Sequence, residues 1–175
     1  AFFEKGFGKK AMLWGALAQS IPDVDFIAAM WLTPSEALLA HRGFTHSILF
    51  GILSVLVFCL LAQKIHKPNN ISFRKWFAFF FTAVFVHLFI DAFNNYGIGW
   101  FEPFSLKRIS FNTIYVADPF FSFMLWIAAI RLSYLNRYSI KRRFWWKAGM
   151  LVPFVYLLLA IVFKLRTDRI IESDL

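Results

Sequence analysis

Apolar positions dominate the chain in four long runs, residues 44–63, 75–93, 115–135 and 147–163. Each approaches the roughly 20 predominantly apolar residues that a helix needs to cross a bilayer. A fifth apolar stretch, residues 11–32, is interrupted by Ser20-Ile-Pro-Asp-Val-Asp25. A proline and two carboxylates in its middle predict a broken or re-entrant helical segment instead of a plain span. No alternating strands of the barrel type are visible, and no repeat, low-complexity tract or Gly/Ser linker divides the chain. The pattern therefore predicts an all-α protein. It is expected to be one domain over residues 1–175, a multi-pass transmembrane bundle of four clear spans plus the broken N-terminal segment.

Composition strengthens that expectation. Hydrophobic residues make up 59% of the 175 and charged residues 17%, with 24 phenylalanines. Soluble domains carry about a quarter charged residues, so this surplus of apolar surface calls for lipid as solvent. The single Cys59 lies inside an apolar run without a partner, which excludes a disulfide and a cysteine zinc site. The start, Ala1-Phe-Phe-Glu-Lys5, lacks an initiator methionine and is expected to lie inside a longer protein; no small-residue cleavage site marks a signal peptide.

A formal charge of +9 would suit a nucleic-acid partner if it were spread along the chain. Instead the basic residues cluster between the apolar runs. Lys64, Lys67, Arg74 and Lys75 follow the first, and Arg137, Lys141, Arg142, Arg143 and Lys147 precede the last. The loop between, residues 94–114, carries only Lys107 and Arg108 against Glu102. The positive-inside rule then predicts that loops 64–75 and 136–147 are cytoplasmic and the middle loop is outside. Lys5, Lys9 and Lys10 agree if residues 11–32 cross once. Membrane lipid is the expected partner, and no direct nucleic-acid binding is expected.

That topology brings the polar exceptions to one face. His41–Ser47 opens the first span at its outer end, His87 and Asp91 close the second there, and Asp118 opens the third. Asp23 and Asp25 lie toward the same face. An ionisable residue in a span costs at least ~2.5 kcal/mol on insertion scales, so each suggests function. His87 and Asp91, at i and i+4, share a helical face and can address one ion; they can equally be a hydrogen-bonded pair between helices. His41 and His46 converge only if His41 sits in a loop turned at Gly43; otherwise Arg42 meets headgroups and Thr45 caps the helix. Asp23 and Asp25 follow the helix-breaking Pro22, where aspartates are also ordinary turn residues. Together these residues form a mixed nitrogen and oxygen set suited to zinc, manganese or iron. Asp118 before Pro119 reads first as a helix cap, and Glu102 as loop surface. Asn94 and Asn95, one turn past Asp91, are candidates to orient a substrate or a water. His66 carries no expected role.

Leu13-Trp-Gly-Ala-Leu-Ala18, Ile21-Pro-Asp-Val-Asp25, His41-Arg-Gly-Phe-Thr-His-Ser47 and His87-Leu-Phe-Ile-Asp-Ala92 with Tyr96-Gly97 resemble the YdjM-type family over about residues 11–120. That family is described as LexA-binding, inner-membrane-associated metal-dependent hydrolases. It is distantly similar to the zinc-dependent phospholipase C and nuclease superfamily. The resemblance implies a bacterial inner-membrane location and a metal site built on His87 and Asp91, completed by His46, His41 and an aspartate of the Pro22 motif. The working hypothesis is a divalent metal, zinc first, bound by Asp23, Asp25, His41, His46, His87 and Asp91. Arg42, Thr45 and Asp25 are the catalytic candidates, with Arg42 gripping a phosphate and Asp25 available as a base. The expected substrate is a phosphoester of a lipid or lipid-linked molecule. The rivals are a metal or proton carrier, which needs polar residues reaching both faces, and a regulatory scaffold binding through its basic loops.

Overall fold

The computed structural model describes residues 8–33, 42–66, 71–115, 118–136 and 138–173. Among these the protein is helical, with no strand, and Ile98 and Ile109 form an isolated antiparallel bridge. The helices are α1 (Gly8–Ser20), α2 (Ile48–Ile65), α3 (Phe73–Asp91), α4 (Pro119–Tyr134) and α5 (Lys141–Ser173), with 3-10 helices over Pro22–Met30 and Phe44–His46. The chain divides into two compact units, Ala1–Phe111 and Asn112–Leu175.

Among the described residues three helices, α2, α3 and α5, are long and apolar enough to cross a membrane, with mean hydropathies of 2.3, 1.5 and 2.2. The fourth expected span is shorter: α4 has 16 residues because Asp118 caps it and Pro119 begins it, short of the usual bilayer-crossing length. The interruption at Ser20–Asp25 is real. It ends α1, and the chain continues as the tighter 3-10 stretch that carries both aspartates. Residues 44–46, placed in the first span by hydropathy alone, form a separate turn instead. The Ser47 side chain accepts from Phe50 N at 3.1 Å and so starts α2 one residue later.

In the first unit α3 is the spine. Trp76, Phe80, Val84 and Leu88 recur every fourth residue and are buried against Val55, Cys59 and Ala62 of α2 and Ala18 of α1. Gly51 permits the close approach of α2, since a Cβ there would stand 3.1 Å from Leu88 Cδ1. The outward faces remain apolar, as at Val57, Leu60 and Phe89, which suits lipid and would be costly in water. Beyond α3, residues 92–111 fold back on the unit. Ile98 and Ile109 exchange backbone hydrogen bonds at 2.9 Å, Gly99 N donates to Arg42 O, and Ile48 N donates to Trp100 O. Gly97 allows this path: its φ is 69°, and a Cβ would meet Ile109 O at 2.8 Å. The loop thereby fastens the Arg42 turn and the start of α2 beside the end of α3.

The second unit is an α4–α5 hairpin. Asp118 caps α4 through Phe120 N and Phe121 N, as its sequence context predicts, and also accepts from Tyr156 Oη at 2.8 Å. Arg142 Nη1 donates to the carbonyls of Leu132 and Leu135, satisfying the C-terminal end of α4. Gly149 lies directly against Ala128.

Candidate metal centre

Three separate segments supply the polar cluster of the first unit. Pro22, itself buried, opens the 3-10 stretch that presents Asp23 and Asp25. Arg42, in the left-handed region at φ 65°, and Gly43 then turn the chain into the Phe44–His46 helix, where His46 N donates to Gly43 O at 2.9 Å. His46 is fully buried. The last turn of α3 supplies His87 and Asp91 on the face that continues from Phe80, Val84 and Leu88.

One donor atom from each of Asp23, His46, His87 and Asp91 lies within 4.8 Å of all the others. His46 Nε2 is 3.3 Å from Asp23 Oδ1 and 3.3 Å from Asp91 Oδ2; His87 Nε2 is 3.6 Å and 3.3 Å from the same two oxygens. Ligands arranged tetrahedrally about 2.0–2.1 Å from a zinc ion are separated by about 3.3 Å. His87 Nε2 and Asp91 Oδ2 are buried and have no hydrogen-bond partner among the described residues. A buried polar atom left so costs about 1–3 kcal/mol, which a coordinated cation would offset. The donor set, its spacing and these two atoms fit a divalent metal. Three of the four side chains are nearly closed off, whereas Asp23 is 46% exposed and forms the open side.

The remaining expected site residues divide. Asp25 stands beside the group and not within it. Its Oδ2 accepts from Arg42 N and Thr45 Oγ1, each at 2.9 Å, and lies 3.4 Å from His46 Nδ1. Thr45 therefore faces Asp25, with its hydroxyl 3.2 Å from His46 Nδ1. Arg42 is 6% exposed and brings Nη2 to 3.7 Å from Asp91 Oδ1, so it borders the group through Asp91. His41 lies outside the described residues. Asn94 is buried: its amide oxygen accepts from Tyr96 N and Gly97 N, and its own N–H donates to Asp91 O. Asp118 belongs to the second unit, and Glu102 is not part of the group. An apolar groove of about 480 Å³, lined by Ile48, Phe81, Phe85, Phe89 and Trp100, is not part of it either. At about 100° per residue, positions 81, 85 and 89 lie on the side of α3 away from His87 and Asp91.

Fold and site thus define a membrane-spanning helical protein carrying a largely enclosed histidine and aspartate group that could hold a metal. The chain belongs to the YdjM inner membrane protein family, whose sequence profile matches residues 2–167. It is 33% identical over 126 residues to the uncharacterized protein YfhP of Bacillus subtilis (strain 168), covering 71% of this chain and 37% of that one. It is 26% identical over 96 residues to the inner membrane protein YbcI of Escherichia coli (strain K12), covering 54% of each chain. The chain therefore spans about a third to a half of the length of these relatives. No solved structure matches.

Proposed function

We propose that the protein is a membrane-bound metal-dependent hydrolase acting on a phosphoester of a lipid or lipid-linked substrate. The observation that carries this reading is the convergence of Asp23, His46, His87 and Asp91, from three segments, on donor separations suited to one ion. A divalent ion, zinc first and manganese or iron after it, would supply Lewis acidity, easing deprotonation of a water and offsetting charge on a phosphoryl oxygen. His46, His87 and Asp91 hold the buried side of the group. Asp23, at the open side, is placed to take a proton from an entering water. Arg42 brings a buried cation to the edge of the group and is the residue suited to an anionic phosphoester, through the fork of its guanidinium. The site stands at the ends of two membrane-crossing helices, where a lipid headgroup would reach it. We place it on the extracytoplasmic side, with loops 64–75 and 136–147 in the cytoplasm, because those loops hold most of the basic residues.

The test is elemental analysis of the protein purified without chelators, alongside His46→Ala and His87→Ala. One ion per chain that disappears in both variants, followed by metal-dependent release of phosphate from phospholipids or isoprenoid phosphates, is the expected result. A folded wild type that neither carries nor rebinds metal would overturn it. A second reading draws on the presence of four protein donors, the number typical of a structural metal site. It predicts metal that stabilises the fold and no hydrolysis of any phosphoester.

A further inference from the structure

The acceptors around His46 specify more than its position. The Asp25 side chain is 6% exposed, and its Oδ2 receives the Arg42 N–H and the Thr45 hydroxyl, each at 2.9 Å. An ionised carboxylate can only accept, so the Thr45 proton is committed to Asp25. The same Thr45 oxygen lies 3.2 Å from His46 Nδ1 and, with its proton engaged, can only accept there. A ring proton on Nδ1 satisfies that acceptor. Nε2, on the opposite edge, is left to face Asp23 Oδ1 and Asp91 Oδ2 at 3.3 Å.

We infer that Thr45 and Asp25 form a hydrogen-bond relay that holds His46 in the Nδ1–H tautomer and turns its Nε2 lone pair into the four-donor group. The inference rests on the metal reading of that group and assigns Thr45 and Asp25 as positioning residues. The relay also gives a reason for the local chain path. Arg42 takes up a left-handed backbone, uncommon outside glycine, and in it directs its N–H onto Asp25. A metal-bound histidine usually donates its other ring N–H to a carboxylate or similar acceptor, which fixes its orientation; here Nδ1 meets the Thr45 hydroxyl at 3.2 Å, with the Asp25 carboxylate behind it at 3.4 Å.

The experiment compares Thr45→Val, which keeps the shape and loses the hydroxyl, with Thr45→Ser, which retains it. Zinc affinity of the full chain in detergent is measured by competition with a chromophoric chelator. Thr45→Val is expected to bind about 10- to 100-fold more weakly and Thr45→Ser close to wild type. Equal affinity in Thr45→Val and wild type would overturn the relay. The nitrogen-15 spectrum of the deprotonated, metal-free His46 ring, assigned with His46→Gln, reads the tautomer without any metal. An Nδ1–H ring in the wild type supports the relay even if zinc does not bind, an outcome that would remove only the metal reading. An Nε2–H ring overturns the relay whatever zinc does.

Discussion

His87 Nε2 lies 3.3 Å from Asp91 Oδ2, one helical turn along α3, and both atoms are buried with no hydrogen-bond partner among the described residues. The separation is that of two ligands sharing an ion, and the first prediction follows from it. Asp91→Asn keeps the shape but removes a charge from the buried side, whereas Asp23→Asn acts at the exposed side. Zinc affinity should fall more than tenfold in Asp91→Asn and by a smaller factor in Asp23→Asn, measured by chelator competition. The reverse order would show that Asp23 is the principal anionic ligand.

Metal binding should be linked to pH. His46 and His87 face the group through Nε2 and must present a lone pair there, so a proton on either ring competes with the ion. Zinc affinity should rise as the pH is raised from about 5.5 to about 8, with proton release seen by calorimetry in buffers of different ionisation enthalpy. An affinity independent of pH across that window would remove the histidines from the ligand set.

A separate pH effect is expected at His66, just past α2. Trp14 Nε1 donates to His66 Nε2 at 2.9 Å, and the imidazole stacks on Trp76. Burial, and then the nearby Lys10 charge, lowers the His66 pKa below its ordinary value. The folded form therefore binds a proton less readily than the unfolded chain. The resulting stabilisation is present above the unfolded pKa of about 6.5 and is lost as the pH falls through the lower folded value. The melting temperature in detergent should drop between about pH 7.5 and pH 5.5, and the drop should shrink in His66→Gln. An identical pH profile in that variant would rule out His66 as its source.

In the α4–α5 hairpin, a Cβ on Gly149 would stand 2.5 Å from Ala128 Cβ, closer than two carbons tolerate. Gly149→Val should destabilise the hairpin by about 1–3 kcal/mol, the usual range for overpacking. Ala128→Gly in the same chain should recover part of the loss, because it removes the opposing methyl. A thermal melt of the single and double variants checks this, and an unchanged Gly149→Val melt would mean that the helices separate freely.

Helix content, the break at Pro22 and the Asp118 cap were legible in the sequence, because each depends on local chemistry. A run of apolar residues, a proline without an N–H and an Asp-Pro step act within a few positions. The His87–Asp91 pairing was legible for the same reason, since the helical repeat puts i and i+4 together. Only the tertiary structure decided which of Asp23 and Asp25 joins them. Both aspartates are two residues apart on a 3-10 helix, and at three residues per turn they point about 120° apart, so one faces the four-donor group while the other meets Arg42 N and Thr45. The pattern names the residue types available to the site. Which atom of each reaches it depends on how α3, the Arg42 turn and the loop through Gly99 pack together, through contacts between residues far apart in the chain.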